Sequence, residues 1–524
     1  MKTRIKDICI PVMLLLFTLT ASHKVMATNV SGTIVNGNWT SNNSPYVVVG
    51  NINIAGLTIY PGVTVSFATN YAFEVDGVLT ANGTPNAPIV FKGTNGGWQG
   101  IFFNYSSPGS VLANCIISNS VNSGVSILSS TPLITGCVIA NNSAPANGGG
   151  IQVSNLSGGD IILQNCTISN NMVGGPFDGS LSGDVKNGGG VFAQLSGGTL
   201  KMIGCHVVGN VVNKAWANFG YFQGGGIFVN GGAVLSFCVV NNNQCYSEHY
   251  CGYAVASASG GGLYSDSGTT VLNNCIISGN NLFADQGTCP AYVYGGGVYA
   301  YEGSLSMTNC IVGSNTATST TSEHGGGIYI SSQLGNASIV NCTIAYNNIE
   351  GLGSDLNTAQ TMNSIFYFNN ANGTQIIGTT NVTYCDVQNG VAGTGNINHN
   401  PIFLSTSDLI IVPGSPCINA GNTNAIYNNV YFPPSLGVGG NDIGANGGPG
   451  AGGLLSITLW PPIEVFFYGG VPGYSYLFQA TTNLSSSWQT VESFQITNMG
   501  DIADFLEPST NTLPQRFYKL NLSP

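Results

Sequence analysis

The sequence predicts an all-β chain: a right-handed parallel β-helix, that is, a solenoid of stacked coils, followed by a small C-terminal β-sandwich-like domain. Three observations carry this. Glycine triplets recur at a nearly fixed interval, a cysteine-centred motif recurs in step with them, and only 6% of the 524 residues are charged although 43% are hydrophobic. A fixed period of a few tens of residues marks a repeat architecture. A chain with so few charges and 74 glycines is solvated by turn-forming Gly, Asn, Ser and Thr rather than by a helical Lys/Glu surface.

The first element is an export signal at residues 1–27. Lys2, Arg4 and Lys6 precede an apolar stretch at 8–21, and Val25-Met26-Ala27 supplies a small-residue cleavage pattern. A secreted or cell-surface location is expected. No later apolar run reaches the roughly 20 residues a membrane-spanning helix needs. Beyond the signal, six basic side chains (Lys92, Lys186, Lys201, Lys214, Arg516 and Lys519) face twenty acidic ones, a formal charge of −14. Such a surface cannot neutralise phosphates, so nucleic acid is excluded as a partner, and highly anionic glycans are disfavoured.

Residues 28–400 form the predicted β-helix. Triplets end at Gly150, Gly190, Gly226, Gly262, Gly297 and Gly327, each leading into a short apolar strand such as Ile227-Phe228-Val229 or Val298-Tyr299-Ala300. A second motif, of the form Asn-Cys-Thr-Ile-Ser-Asn-Asn, places cysteines at 115, 137, 166, 205, 238, 275, 310, 342 and 385. In a strand, the cysteine and the residue two further on share a face, which puts Cys166/Ile168 and Cys275/Ile277 in the core. Five residues past most cysteines stands an Asn (142, 171, 210, 243, 280, 315, 347). Stacking at about 4.8 Å lets these amides form a ladder, each at an αL corner.

These residues resemble right-handed β-helix repeat proteins of the pectate lyase-like superfamily, and segments 57–67 and 98–102 resemble the first coils of its secreted bacterial members. Residues 401–453 complete the helix and form a Gly-rich linker. Asn400-Pro-Ile-Phe403, Pro413-Gly-Ser-Pro-Cys-Ile-Asn-Ala-Gly421 and Asn441-Asp-Ile-Gly-Ala445 resemble the end of a choice-of-anchor Q domain, with Asn419 where that pattern has Asp. Residues 454–524 alternate as strands around Trp460, Trp488 and 516–520, and resemble a β domain appended to secreted proteins. It is expected to cap the open end of the solenoid or to serve as a stalk, with attachment or sorting as the alternative.

Nine cysteines occupy one repeat position. In parallel register their Cβ atoms stand about one strand spacing apart, too far for a disulfide, so they read as a free thiol ladder. Cys245, Cys251 and Cys289 fall in loops. Cys251–Cys289 is the expected bridge, with Cys245–Cys251 as the alternative and a Cys/His249 metal site as a third reading.

Superfamily lyases need a carboxylate cluster with a Lys or Arg base, and hydrolases need paired Asp residues with basic clamps. The helix region has no Arg and only scattered Lys, so the resemblance carries over no catalytic residue. The candidates that remain for catalysis are Asp266 and Glu302, on adjacent repeats, extended by Glu323 and His324; the competing reading is that they are solvated turn residues. The same acidic residues could form a weak calcium site; no other cofactor is expected.

Periods of 35–40 exceed the about 20 to 25 residues of a minimal coil, so insertions enter between the Asn corner and the triplet and form one wall. Trp216 and Tyr250 lie in them. Phe192, Phe228, Tyr264, Tyr299 and Tyr329 follow the triplets and point outward as an aromatic ladder. Either the insertions bury this ladder as a satellite core, or part of it stays open to stack on sugar rings. The expected function is accordingly non-catalytic glycan binding or adhesion through this aromatic loop-bearing face, with an extracellular polysaccharide or cell-surface glycan as partner. The alternative is a polysaccharide-degrading glycoside hydrolase or lyase.

Overall fold

The computed structural model describes residues 27–522 except 95, 156–157, 175–183, 216–219, 249–255, 286–289, 357–358, 371–372, 379, 431–433, 438, 453, 459–463, 482–486, 498–502 and 507–516. No helix among the described residues is long and apolar enough to cross a membrane.

Successive coils pair in parallel over 34 strands, giving the all-β parallel β-helix. The register is one-to-one from coil to coil: Phe102, Ser126, Gln152, Phe192, Phe228, Tyr264, Tyr299, Tyr329 and Gly353 form one continuous row. The core is apolar throughout, with Phe67, Phe91, Trp98 and Phe103 filling the first coils and mostly aliphatics and cysteines the rest. The triplets are sterically required. Their first glycine holds φ between +62° and +70° at 148, 188, 224, 260, 295 and 325, and a Cβ on Gly150 would stand 2.7 Å from the Gly190 carbonyl of the next coil.

The Asn ladder runs unbroken: each Nδ2 from Asn142 through Asn171, Asn210, Asn243, Asn280 and Asn315 to Asn347 donates to the next Oδ1 at 2.7–3.0 Å. The αL residue lies one position earlier than the sequence suggested, at Asn141, Asn170, Gly209, Asn242, Gly279 and Ser314. The ladder Asn itself turns inward, where its amide satisfies buried backbone groups such as the Ile168 carbonyl. All nine ladder cysteines are buried and free. Each thiol of Cys205, Cys238, Cys275 and Cys310 donates to a carbonyl of the preceding coil at 3.3–3.4 Å. Burial raises the pKa of Cys137, Cys205, Cys238 and Cys310, and pushes Cys385 up to about 12.

The insertions are not irregular loops where they are described. Their outgoing arms stack into a six-stranded parallel sheet from Ser143–Ala144 to Thr316–Ser319, and their returning arms into a five-stranded one from Asp184–Asn187 to Ser322–His324. Between these sheets lies a second core of Val173, Val212, Phe222, Leu282 and Val293. The result is a fin along one side of the helix. Cys245 is part of that core, free and pushed up to about 12 by burial, so its place is a fin strand rather than a loop.

The segment after the last coil doubles back along the flank. Leu409 and Ala445 pack on the outward-facing Ile311 and Ala345, while Ile411, Cys417 and Ile443 pack on Ile365. Corner amides hold it: Asn309 Nδ2 donates to the Ala445 and Gly447 carbonyls, and Asn341 Nδ2 to Asn441 and Asp442. Two three-stranded antiparallel sheets follow around Val465, Phe467, Tyr476, Phe478 and Phe505. The contacts of this sandwich's described residues with the solenoid are on the flank rather than at the open end. The sandwich rests on the flank of the middle coils, where Tyr468 stacks on Phe237 at 5.7 Å and its hydroxyl donates to Asn165 Oδ1.

Candidate functional site

The row of residues after the triplets has two halves. From Phe192 to Tyr329 it is the aromatic ladder, and its five rings are only 3–8% exposed. Phe192, Phe228 and Tyr264 stack face to face at 5.2 Å, within 11° of parallel; Tyr299 turns edge-on at 5.1 Å, and Tyr329 follows at 5.6 Å. Tyr294 of the fin closes over Tyr299 at 5.7 Å. The expectation of Phe192, Phe228, Tyr264, Tyr299 and Tyr329 as an open stacking surface is corrected: the ring faces that would meet a sugar are used by neighbouring rings, because coil spacing nearly matches aromatic stacking distance. Trp216, Tyr250, Cys251 and Cys289 lie outside the described residues.

Acidic side chains border this ladder. Asp266 accepts from Asn230 Nδ2 at 2.6 Å and from the Tyr264 hydroxyl at 3.4 Å, and the Glu302 amide donates to the Asp266 carbonyl at 3.0 Å. Burial raises the Asp266 pKa and the Glu302 charge adds to the rise, against the Tyr264 and Asn230 hydrogen bonds. Asp266 and Glu302 are therefore adjacent, but Asp266 is half-buried rather than freely solvated. Tyr329 donates to Asp355 Oδ2 at 2.6 Å, a carboxylate that sequence spacing did not single out. Glu323 accepts from the Ser319 amide at 2.8 Å and so secures the end of the fin. His324 stacks on Tyr294 at 5.7 Å, with Nε2 2.9 Å from Ser322 Oγ. Among the described residues no group of three or more His, Cys, Asp or Glu gathers that could hold a metal ion.

The other half of the row is open. At Phe102, Ser126 and Gln152, where the repeat is short, the same outward position borders a cleft of about 400 Å³. Gln99, Asn122, Leu128 and Ser154 complete its walls. With Ala72, Gly100 and Ile127 also at its edge, the lining combines one aromatic ring and aliphatic side chains with neutral amides and hydroxyls, and holds no charged side chain. One coil away, Glu74 pairs in register with Phe102 and is engaged by Asn104 Nδ2 at 2.8 Å. Sequence reading passed over this site because it sought aromatic density. The available indication was register: Phe102 occupies the same place after its glycine as Phe192 does.

No family model matches this chain, and a search of curated proteins returns no match. Among solved structures, it is similar to pectate lyase Pel9A with a TM-score of 0.36 and 14% identity, over 79% of this chain and 96% of that one.

Proposed function

We propose that this chain is an exported, non-catalytic glycan-binding β-helix that holds a neutral polysaccharide on the open face of its N-terminal coils. The observation that carries the reading is the cleft at Gln99, Phe102, Ser126 and Gln152, where one ring flanked by amides and hydroxyls is free of charge. A pyranose presents an apolar C–H face and a rim of hydroxyls, and this lining complements both. The shortage of Lys and Arg removes the base and clamps that uronate chemistry requires, and the candidate carboxylate Asp266 is occupied by Asn230 and Tyr264.

A second reading rests on one observation: burial and Glu302 raise Asp266, as befits a general acid beside a second carboxylate. A glycan array run with reducing-end assays on the same purified protein separates the two. Binding without product, weakened in Phe102→Ala and Gln152→Ala, supports the binder. Release of reducing ends, abolished in Asp266→Asn, replaces it with the hydrolase.

A further inference from the structure

The returning segment covers one outward row of the helix flank, and register gives that row as Ile311, Thr343, Ile365 and Asp386. Leu409 and Ala445 cover Ile311, the Ala445 amide donates to Thr343 Oγ1 at 3.0 Å, and Ile411, Cys417 and Ile443 cover Ile365. In the last coil, Asp386 thus puts a carboxyl where the coils before it place an aliphatic side chain or a hydroxyl. Both Asp386 and Cys417, which packs on it, are 0% exposed.

That carboxyl is poorly served by donors. Oδ1 accepts from the His399 amide at 3.0 Å and Oδ2 from the Cys417 thiol at 3.2 Å, and a thiol is a weak donor. Asp442, equally buried within the segment, gives the contrast: its two oxygens accept from the Asn419 and Leu436 amides at 2.8 and 2.9 Å. Out of water, an ionised carboxylate needs strong donors on both oxygens, and Asp386 has one. The titratable groups facing it are Cys417 from the segment and His399 from the turn before it. Tyr367 of the preceding coil and Cys385 on its own strand also feel its charge, and Asp442 acts on Cys417 from the other side. None of these is a Lys or Arg. Burial accordingly raises the Asp386 pKa, against the His399 and Cys417 hydrogen bonds and the His399 charge. Ties farther along the segment, at Asn309, Asn341 and Asn363, use amides that do not titrate.

We propose that Asp386 and Cys417 form a pH-sensitive latch: the neutral carboxyl holds the returning segment on the flank, and its ionisation loosens the segment around Cys417. A carboxyl freed by undocking titrates near 3.9, below its docked value. The docked state therefore holds the proton more tightly, so the latch is fully engaged below the free value and weakens as pH climbs through the docked one. His399 works in the same direction, because it sheds its charge near pH 6.5 and with it the one positive charge among the groups facing the carboxylate. The opening is local, since the amide ties persist and the coils beneath keep their ladders. It bares the apolar Ile365 and the Cys417 thiol.

The test is hydrogen–deuterium exchange on the full chain, read on peptides spanning Ser415 to Ala420 and corrected for the intrinsic dependence of exchange on pH. From about pH 4 to about pH 8, their protection should fall about fivefold in the wild type, the equivalent of about one hydrogen bond. Peptides through Cys205 and Cys238 should keep theirs. Asp386→Asn, which cannot ionise, should show the same protection at both ends of the range. Cys417→Ser gives the carboxylate a stronger donor and should shrink the fall, which keeps the test decisive if the first variant does not fold. Wild-type protection independent of pH, a fall in Asp386→Asn as large as in the wild type, or an undiminished fall in Cys417→Ser overturns the proposal. An equal fall in the Cys205 and Cys238 peptides overturns it too, because the coils themselves are then unfolding.

Discussion

Two stretches of one residue row behave in opposite ways. In coils 101–154 the outward position after the glycine carries Phe102, Ser126 and Gln152 and borders an open cleft; in coils 191–330 the same position carries Phe192, Phe228, Tyr264, Tyr299 and Tyr329 and is buried. The difference between them is the fin. Cys115 and Cys137 are 22 residues apart, leaving no room for an insertion, whereas Cys166 and Cys205 are 39 apart and the added chain folds into two further sheets. Aromatic content along the row therefore follows burial. Where a solenoid has an appendage, an outward-pointing Phe or Tyr supplies the appendage with a core, and the binding face is sought where the row turns polar and uncovered.

The largest effect expected from this contrast is on stability. Tyr264→Ala removes a ring packed on both sides and should cost about 3 kcal/mol, measured as a drop in urea midpoint with an unchanged slope, while glycan affinity per folded molecule is retained. Loss of affinity without loss of stability would return the ladder to the role of a binding platform. The reverse pattern should hold in the open half. There Phe102→Ala should weaken glycan binding about fivefold, a loss of about 1 kcal/mol, and shift the melting temperature little. Binding should also change little with salt, because no charged side chain lines the cleft.

The smallest effect concerns pH at the border of the covered half. Burial raises Asp266 in the folded chain above its unfolded value near 3.9. The folded state thus holds that proton more tightly, and its contribution is fully present below the unfolded value and is lost as pH climbs through the folded one. Asp266→Asn should remove that decline, so the melting temperatures of variant and wild type should converge under acid and separate slightly in the variant's favour at neutral pH. Separation in the opposite sense would mean that the Asn230 and Tyr264 hydrogen bonds outweigh desolvation.

Much of the fold was legible from period and register alone. Triplets and cysteines fix the coil, and the amides five residues past Cys137 or Cys275 could only stack if the coils were parallel. Three features were not legible, each for a physical reason. The fin's strands have no period of their own; Val211–Ala215 and Gln244–Glu248 pair only because the coils beneath set them in register. The αL position moved from Asn142 to Asn141 because both residues tolerate it and the buried one is claimed by the ladder. The return of residues 401–453 along the flank depends on amides at Asn309 and Asn341 that are distant in sequence from their partners. At the candidate site, residue type misled where register would have guided. Tyr264 and Tyr299 drew attention as aromatics, while Gln152, at the same repeat position after the Gly150 triplet, is not aromatic and drew none.

The most direct test of the account is hydroxyl-radical footprinting of the full chain with and without its glycan, read side chain by side chain. In the free protein Phe102 and the 64%-exposed Tyr105 beside it should oxidise readily while Phe228, Tyr264 and Tyr299 resist, and glycan should protect Phe102 and leave the ladder unchanged. Ready oxidation of Tyr264 and Tyr299 in the free chain, with protection by glycan, would contradict it.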